Sequence, residues 1–440
     1  MTTTTYFQIM KTFKYIFHFL AVVLLFSLMS RANAFNLAAL DSTVDTNRAA
    51  RYEFFKDFKI KGICGNTRLD LATAWGANTI RTYTPPSREQ LDNYHRLGLK
   101  VIFGVWMPHQ GENPGKPKWS YDYKKSGDEQ VRFFAKLVDK IGDHPAILLW
   151  CLGNEVPLDP EYLRTINRMS ELLHQKYPMQ LTSVTIINAP KEGIEAIKKY
   201  APDVDVIGAN CYGAGAVKTA CKQFETDWQR AYYISELGPQ GPWWGKRTAW
   251  GQICEQNYPE KIQDLRNSFR IIDTAPRCLG SAVFYWGCWK LQKPTYFSTF
   301  LDPANVNPKE KANELFITPM AEEFCHYWSG QYPAERGPLL SRIVIDGLKN
   351  QKDAAVSAGQ TFTITANASE PSDTDSDLTY RWWILGENGK TVAGPINSST
   401  PNVHIKAPTE PGTNYVVMGY AIANNQHASG FTVPIKVINP

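Results

Sequence analysis

Short apolar runs alternate with amphipathic stretches from about residue 58 to residue 330. Such runs are typical of strands buried on both faces of a parallel sheet, and apolar positions spaced three and four apart are typical of helices. The eight predicted strands are Lys59–Cys64, Asn78–Tyr83, Lys100–Trp106, Ala146–Cys151, Leu181–Ile187, Asp205–Cys211, Ala231–Glu236 and Leu279–Trp286. The helices predicted after them are Arg68–Trp75, Arg88–Leu97, Glu129–Ile141, Glu161–Tyr177, Ile194–Tyr200, Val217–Asp227, Pro259–Asp273 and Thr318–Trp328.

The number of these strand–helix units predicts the fold class. Eight units in this span match a (β/α)8 TIM barrel, which typically takes about 250 residues. A doubly wound open sheet is the alternative, but that fold normally has fewer strands and a glycine-rich phosphate turn, which this sequence lacks. We therefore predict an α/β chain with a (β/α)8 barrel domain at residues 58–330.

The pattern changes after the barrel. Residues 331–340 have the composition of a linker, and residues 341–440 contain short alternating runs such as Thr361–Ala366 and Leu378–Trp383. This rhythm predicts a small β-sandwich. Because the tail holds no candidate catalytic pair, we expect it to be an accessory domain.

Residues 1–34 have the features of an export signal. Lys11 and Lys14 precede an apolar stretch from Ile16 to Met29, and Ala32-Asn33-Ala34 fits the small-residue cleavage rule. An uncleaved membrane anchor is the alternative, but the apolar stretch is short for a full span. The expectation is a cleaved signal peptide, a lead-in at residues 35–57, and a secreted or periplasmic protein with no membrane contact after cleavage.

Net charge and cysteine content indicate which binding partners and which disulfide or metal sites to expect. The net charge of +5 is small for 440 residues and the basic residues are scattered, so the sequence gives no indication of nucleic-acid binding. Eight cysteines in an exported chain favour some disulfides, and their spacing does not indicate a zinc site. We expect at least one disulfide among Cys211, Cys221, Cys254 and Cys288, which lie in or near the loops after strands six to eight.

Polar and aromatic side chains stand where the predicted strands end. In a barrel these ends meet at one face, where the active site lies. The residues placed there are Arg81, Trp106, Glu155, Asn210, Tyr212, Glu236 and Trp286. Glu155 and Glu236 each follow an apolar run, and cleavage of a glycosidic bond needs two carboxyl groups on opposite sides of the bond. The two glutamates are therefore the predicted catalytic pair.

Four motifs carry a resemblance to a known family: residues 76–82, Gly153-Asn154-Glu155, residues 205–212, and Ser235-Glu236-Leu237-Gly238. They resemble the catalytic barrel of retaining β-glycosidases that carry the acid/base after strand four and the nucleophile after strand seven. The chain looks most like the barrel of glycoside hydrolase family 2, with some likeness to β-1,3-glucanosyltransferases. The sugar-binding sandwich that normally precedes a family 2 barrel has no counterpart in residues 35–57. The tail is similar to immunoglobulin-like and PKD-like modules.

The resemblance implies a role for each matching residue. Glu155 matches the acid/base and Glu236 the nucleophile, and Asn154 would bind the sugar 2-hydroxyl. A fixed cation and a phenol donor both favour an ionised carboxylate, so Arg81 and Tyr212 are expected to hold Glu236 in that form. A rim ion pair for Arg81 and simple packing for Tyr212 are the alternatives.

Aromatic residues supply the remaining candidates for substrate binding. Trp286 is expected to form the floor of the sugar site, with Trp289 as its rival for that role. Trp106 lies in a long loop and is a further candidate. His109, Trp243 and Trp244 also lie in loops, where they would either line further subsites or shield the protein from solvent.

The predicted function is that of an exported retaining β-glycoside hydrolase, which acts on a β-linked oligo- or polysaccharide through two glutamates and needs no cofactor or metal. A β-glucan transglycosylase is one alternative, and a non-catalytic carbohydrate-binding barrel is the other. A retaining pair would have its carboxyl groups about 5–5.5 Å apart.

Overall fold

A computed structural model describes residues 46–108, 123–291, 293–307, 309–346, 354–369 and 378–440. The predicted signal peptide and residues 35–45 of the predicted lead-in lie outside these residues. No helix in the described ranges is long and apolar enough to span a membrane.

Eight parallel strands close into a barrel in chain order, which confirms the predicted (β/α)8 fold. The strands are β1 Ile60–Cys64, β2 Thr79–Arg81, β3 Lys100–Val105, β4 Ile147–Leu152, β5 Leu181–Ile187, β6 Val206–Tyr212, β7 Tyr232–Gly238 and β8 Cys278–Val283. The helices are α1 Thr46–Tyr52, α2 Leu69–Ala74, α3 Arg88–Arg96, α4 Tyr123–Ile141, α5 Pro160–Lys176, α6 Lys191–Tyr200, α7 Ala214–Gln223, α8 Tyr258–Thr274 and α9 Pro319–Ser329. A 3-10 turn at Glu53–Lys56 follows α1, and a π-helical turn at Phe224–Trp228 extends α7.

Two apolar clusters fill the barrel. The larger one lies between the strands and the surrounding helices, and the smaller one joins inward residues such as Ile102 and Leu149 to Tyr52 and Phe55. Alternate residues of a strand point to opposite faces, so both faces of each strand are buried and the sequence reads as a continuous apolar run. Tyr52 and Phe55, from α1 and the turn after it, belong to the lead-in and contribute to the cluster that contains β1 residue Ile60.

A buried carboxylate fixes α1 to the barrel. Asp205 is fully buried just before β6 and accepts hydrogen bonds from Arg48, Arg51, His174 and the Thr182 backbone amide. His174 also contacts Asp203 at 2.7 Å. Burial lowers the pKa of His174, but its hydrogen bonds to Asp203 and Asp205 outweigh that effect and raise the pKa to about 9.

This raised pKa predicts a pH-dependent stability. The histidine contributes its full stabilisation below its unfolded pKa of about 6.5, and loses it as the pH rises through about 9. We expect wild type to exceed the His174→Gln variant in unfolding free energy by about 2–3 kcal/mol more at pH 6 than at pH 9.5. Urea unfolding across this range measures the difference. A gap that is constant with pH would contradict the prediction.

The tail forms two antiparallel sheets that pack into a sandwich, as expected. The strands are β11 Leu339–Ile345, β12 Ala355–Ser357, β13 Thr361–Ser369, β14 Thr379–Gly386, β15 Thr391–Ser398, β16 Asn402–Lys406, β17 Asn414–Ile422 and β18 Ala428–Ile438. One sheet has the order β11-β13-β16, and the other has the order β12-β18-β17-β14-β15, in which β12 pairs parallel to β18. Two short strands, β9 Phe300–Leu301 and β10 Phe316–Ile317, pair in the segment between β8 and α9.

The central strands β14 and β17 of the five-stranded sheet are buried on both faces. Trp382 and Val417 belong to the core between the two sheets, whereas Trp383 and Met418 pack in a second cluster with Leu301 of the barrel segment. The segment between the barrel and the sandwich is also fixed to the barrel. The backbone amide of Gly337 and the guanidinium of Arg336 both donate hydrogen bonds to Glu322 of α9. The sandwich is therefore packed onto the barrel and is not joined to it through a free linker.

A buried ion pair reinforces this contact. Lys261 of α8 donates to Glu255 at 2.6 Å, and both side chains are inaccessible to solvent. The other carboxylate oxygen of Glu255 accepts from the Thr295 hydroxyl at 2.8 Å, and from the backbone amide and hydroxyl of Thr432 at 2.9 and 2.7 Å. The charge of Glu255 is thus fully hydrogen-bonded, as a buried carboxylate requires. We call these four residues the Glu255 cluster; it connects the segments after β7 and β8 to β18.

Thr432→Val tests the contribution of this contact to stability. The substitution keeps the shape and the backbone donor but removes the hydroxyl donor to a buried charge, so we expect the free energy of unfolding to fall by about 1–3 kcal/mol. Thr391→Val, at an exposed position on β15, is the matched control and should stay within about 0.5 kcal/mol of wild type. Equal changes in the two variants would show that the Thr432 hydroxyl contributes nothing specific.

Candidate active site

Glu236 lies near the carboxyl end of β7 and is 5% exposed. Its Oε1 accepts hydrogen bonds from Arg81 at 2.8 Å and from the Tyr83 hydroxyl at 2.7 Å. Its Oε2 accepts one from the Tyr212 hydroxyl at 2.5 Å. Strand order explains the convergence, because β6 is the neighbour of β7 and the ends of all parallel strands open on one face. The carboxylate is thus enclosed by one cation and two phenols.

Arg81 connects Glu236 to the rest of the site. It ends β2, is 2% exposed, and also donates to the Asn154 side chain at 2.6 Å and to the Ser235 carbonyl at 3.1 Å. Burial by itself would lower the pKa of Arg81, but the neighbouring Tyr83 and Glu236 hold it well above its ordinary value. The side chain is therefore a fixed cation inside the barrel mouth, and not a rim ion pair.

Tyr83 is a member of the site that the sequence interpretation missed. It lies two residues beyond Arg81, and successive side chains of an extended chain alternate in direction, so Arg81 and Tyr83 point to the same side. That spacing was the available signal. Burial and the nearby Cys64 and Glu236 raise the pKa of Tyr83 well above its usual value, so its hydroxyl remains a donor. Burial and Glu236 have the same effect on the pKa of Tyr212.

Two asparagines join the second glutamate to this group. The Asn210 side chain donates to Glu155 Oε1 at 2.9 Å and to Asn154 Oδ1 at 3.2 Å, and it accepts from the Ser235 hydroxyl at 2.8 Å. Asn154 in turn accepts from Arg81. A continuous set of hydrogen bonds therefore runs from Glu155 to Glu236, and it contains every residue of the predicted polar site.

The backbone after β4 is shaped to present Glu155. Gly153 has a φ of +97°, and a Cβ there would lie 2.5 Å from Val156, so a glycine is needed. Glu155 itself has a φ of +49°, a left-handed conformation that is unfavourable for a glutamate. Such strained residues cluster at functional sites, where the surrounding structure maintains them. This conformation supports a functional role for Glu155.

Trp286 does not line the site, contrary to expectation. Strand β8 ends at Val283, and Trp286 is fully buried beside Trp75, Phe300 and Trp328, where the indole cannot contact a ligand. The partly exposed aromatics near this strand end are Phe284, Tyr285 and Trp289. The Phe284 ring lies 5.8 Å from Tyr212 and 5.0 Å from Trp289. These three rings, including the rival Trp289, are the remaining candidates for the role predicted for Trp286.

The tryptophans of the loops lie at two different places on the barrel. Trp106 follows β3 and is 37% exposed, whereas Trp243 and Trp244, in the β7–α8 loop, are about half exposed. The Trp243 ring lies 5.3 Å from Tyr212, which places it beside the Glu236 group. His109 lies outside the described residues.

The cysteines do not form the predicted disulfide. All eight lie in described residues, and none of them forms a disulfide. Cys211 and Cys221 are held in regular elements, β6 and α7, and are buried. The loops after β7 and β8, which carry Cys254 and Cys288, are linked by the Glu255 cluster. No group of three or more His, Cys, Asp or Glu in the described ranges is arranged to hold a metal ion.

Comparison with known proteins gives distant structural neighbours. No family model and no curated protein matches the chain. A β-glucuronidase from Bacteroides uniformis is 15% identical with a TM-score of 0.45, over 88% of this chain and 47% of that one. A β-galactosidase, described as putative, from Bacteroides fragilis is 14% identical with a TM-score of 0.43, over 88% and 56%. A glycosyl hydrolase family 2 member from Bacteroides cellulosilyticus is 12% identical with a TM-score of 0.41, over 87% and 46%.

The chain thus spans about half the length of these enzymes. Similarity at this level does not establish an activity.

Tyr83→Phe tests the enclosure of Glu236. The change removes one donor to a buried carboxylate and leaves the ring in place, so we expect the free energy of unfolding to fall by about 1–3 kcal/mol. Tyr94→Phe, at a buried position on α3 outside the site, is the control, and its effect should be about 0.5 kcal/mol or less. Chemical denaturation of both variants gives the comparison, and equal losses would contradict a specific bond to Glu236.

Proposed function

We propose that the chain is a retaining β-glycoside hydrolase of the family 2 type, with Glu236 as nucleophile and Glu155 as acid/base. The observation that carries the proposal is the enclosure of Glu236 by Arg81, Tyr83 and Tyr212, joined through two asparagines to a second carboxyl group. Glycoside hydrolysis with retention needs two such carboxyls at one site. That their separation is the one typical of retention, about 5–5.5 Å, stays a prediction.

The reaction takes two displacements. Glu236 attacks the anomeric carbon while Glu155 donates a proton to the leaving oxygen, and a covalent glycosyl–enzyme forms. Glu155 then removes a proton from water, which attacks the same carbon and frees Glu236. The three donors around Glu236 hold its carboxylate in place before attack. A carboxylate oxygen has two acceptor sites, so the bond from Tyr212 leaves Oε2 a lone pair for the anomeric carbon.

Asn154 and Asn210 have positioning roles in this scheme. Asn210 orients Glu155 through its amide, and Asn154 lies between Arg81 and Asn210, where its remaining polar atoms can meet a sugar 2-hydroxyl. The substrate class is a β-linked oligo- or polysaccharide. Export to the periplasm or the medium, and an immunoglobulin-like or PKD-like character of the sandwich, are part of the same proposal.

A transglycosylase would use the same residues and differ in whether a sugar or water resolves the intermediate. A binding protein on an inactive barrel is disfavoured because both carboxyls and their hydrogen-bond partners are in place. A panel of β-linked polysaccharides, analysed for both shortened and lengthened products, distinguishes a hydrolase, a transglycosylase and a non-catalytic binding protein.

Substitution of each glutamate assigns the roles. Glu236→Ala should abolish turnover, and azide should restore part of it with an inverted product, because azide takes the place of the missing nucleophile. Glu155→Ala should slow substrates with poor leaving groups by about 10²–10⁴-fold and largely spare activated aryl glycosides. Product anomers are followed by NMR.

Glu192→Ala, an exposed position on α6, is the control and should behave as wild type. Because Glu236→Ala leaves Arg81 buried without its partner, Glu236→Gln serves as a second inactive variant, and circular dichroism verifies that both are folded. Reversed behaviour of the two glutamates would exchange their roles, and unaffected turnover in both would refute the proposal.

A further inference from the structure

A cavity of about 420 Å³ lies on one side of the catalytic group, between the β6–α7 turn, the β7–α8 loop and helix α8. Its lining includes Asn188, Tyr212, Gln240, Trp244, Gln256 and Asp264. Pockets of about 300–1,000 Å³ are the usual size for small-ligand sites. Tyr212 is shared with the catalytic group, because its hydroxyl binds Glu236.

The lining of this cavity has the chemistry of a sugar site. Sugars bind through an aromatic face and through amides and carboxylates that meet their hydroxyls, and the cavity offers an indole that is 49% exposed together with three amide side chains. Asn188 has a φ of +53° and follows β5, a second strained polar residue at the carboxyl face of the barrel. The mechanism proposed above uses neither this indole nor these three amides.

The carboxylate of Asp264 indicates what kind of group this cavity would bind. Its Oδ1 accepts from the Ala214 backbone amide at 2.9 Å, whereas its Oδ2 is buried and has no hydrogen-bond partner. Burial raises the pKa of Asp264, and the nearby amides of Ala214, Gln256 and Gln240 oppose the rise without any of them reaching hydrogen-bond geometry with Oδ2. An unsatisfied buried acceptor is costly, and a hydroxyl donor would satisfy it.

We propose that this cavity is a second sugar subsite, which holds an uncharged sugar unit of the glycan next to the unit bound between Glu155 and Glu236. Trp244 provides the stacking face, and Asp264 Oδ2 accepts a sugar hydroxyl. A uronic acid is disfavoured here because its carboxylate would face that of Asp264. The inference rests on the proposed function. It adds that the substrate has at least two sugar units and that the unit in this cavity is uncharged.

The test compares long and short substrates on the full chain. β-1,3- and β-1,4-linked glucotetraose and β-1,4-linked galactotetraose are the long probes, and the p-nitrophenyl β-glycosides of glucose and galactose are the short ones. We expect Trp244→Ala and Asp264→Asn each to lower kcat/KM at least tenfold on the cleaved tetraose and less than twofold on the aryl glycoside. Phe54→Ala, an aromatic position of similar exposure beside the lead-in helix α1, should change neither value.

A charge test isolates Asp264. Wild type should cleave a neutral disaccharide faster than the same disaccharide with a uronic acid in the second position, and Asp264→Asn should reduce that preference because it removes the opposing charge. A merely structural role for Asp264 would not change this ratio.

Three outcomes would overturn the inference: equal losses on long and short substrates, no loss on either, or an unchanged charge preference in Asp264→Asn. Failure of the proposed function looks different, because wild type would then cleave none of the probes or Glu236→Ala would remain active. Calorimetric binding of the tetraoses to the folded Glu236→Gln variant measures the subsite without turnover. Trp244→Ala in that background should weaken binding at least tenfold, and unchanged binding would refute the subsite.

Discussion

The buried pair of Arg81 and Glu236 is the constraint on which the site depends. A carboxylate inside a barrel mouth is tolerated because a cation and two phenols bind it, and removal of one partner would leave an uncompensated charge. The same guanidinium fixes Asn154, and through Asn210 the pair determines where Glu155 stands. One ion pair thus contributes both to the stability of the barrel mouth and to the geometry of the site.

The Glu255 cluster plays a similar part at the periphery. Its carboxylate joins helix α8 to the segment after β8 and to strand β18 of the sandwich, so both loops beside the site are tied to the tail. The loop that carries Trp243 and Trp244 ends at this cluster. The sandwich therefore has a structural task at the edge of the site, although it supplies none of the residues in the group around Glu155 and Glu236.

The sequence predicts the barrel and the two glutamates because a strand buried on both faces is a long apolar signal, and an acid at its end stands out. It does not determine which side chain after a strand faces the mouth, since a shift of one residue reverses the side. That ambiguity explains why Trp286 was expected in the site, whereas Tyr83 was missed although its spacing from Arg81 indicated that both point to the same side. The sequence does contain a signal that the sandwich packs onto the barrel. The run Trp382–Leu385 is apolar throughout, whereas a strand with one exposed face would alternate apolar and polar residues. The barrel surface that this strand meets comes from distant segments of the sequence.

The two carboxyl groups are held in different ways, and the proposed chemistry asks for such a difference. A nucleophile must stay ionised and aligned, and Glu236 is within a regular strand with donors on both oxygens. An acid/base must exchange protons with water between the two steps, and Glu155 is half-buried on a strained turn, bound by a neutral amide. The barrel supplies rigidity at β7 and a specialised turn after β4, so one scaffold can keep one carboxylate fixed and the other accessible.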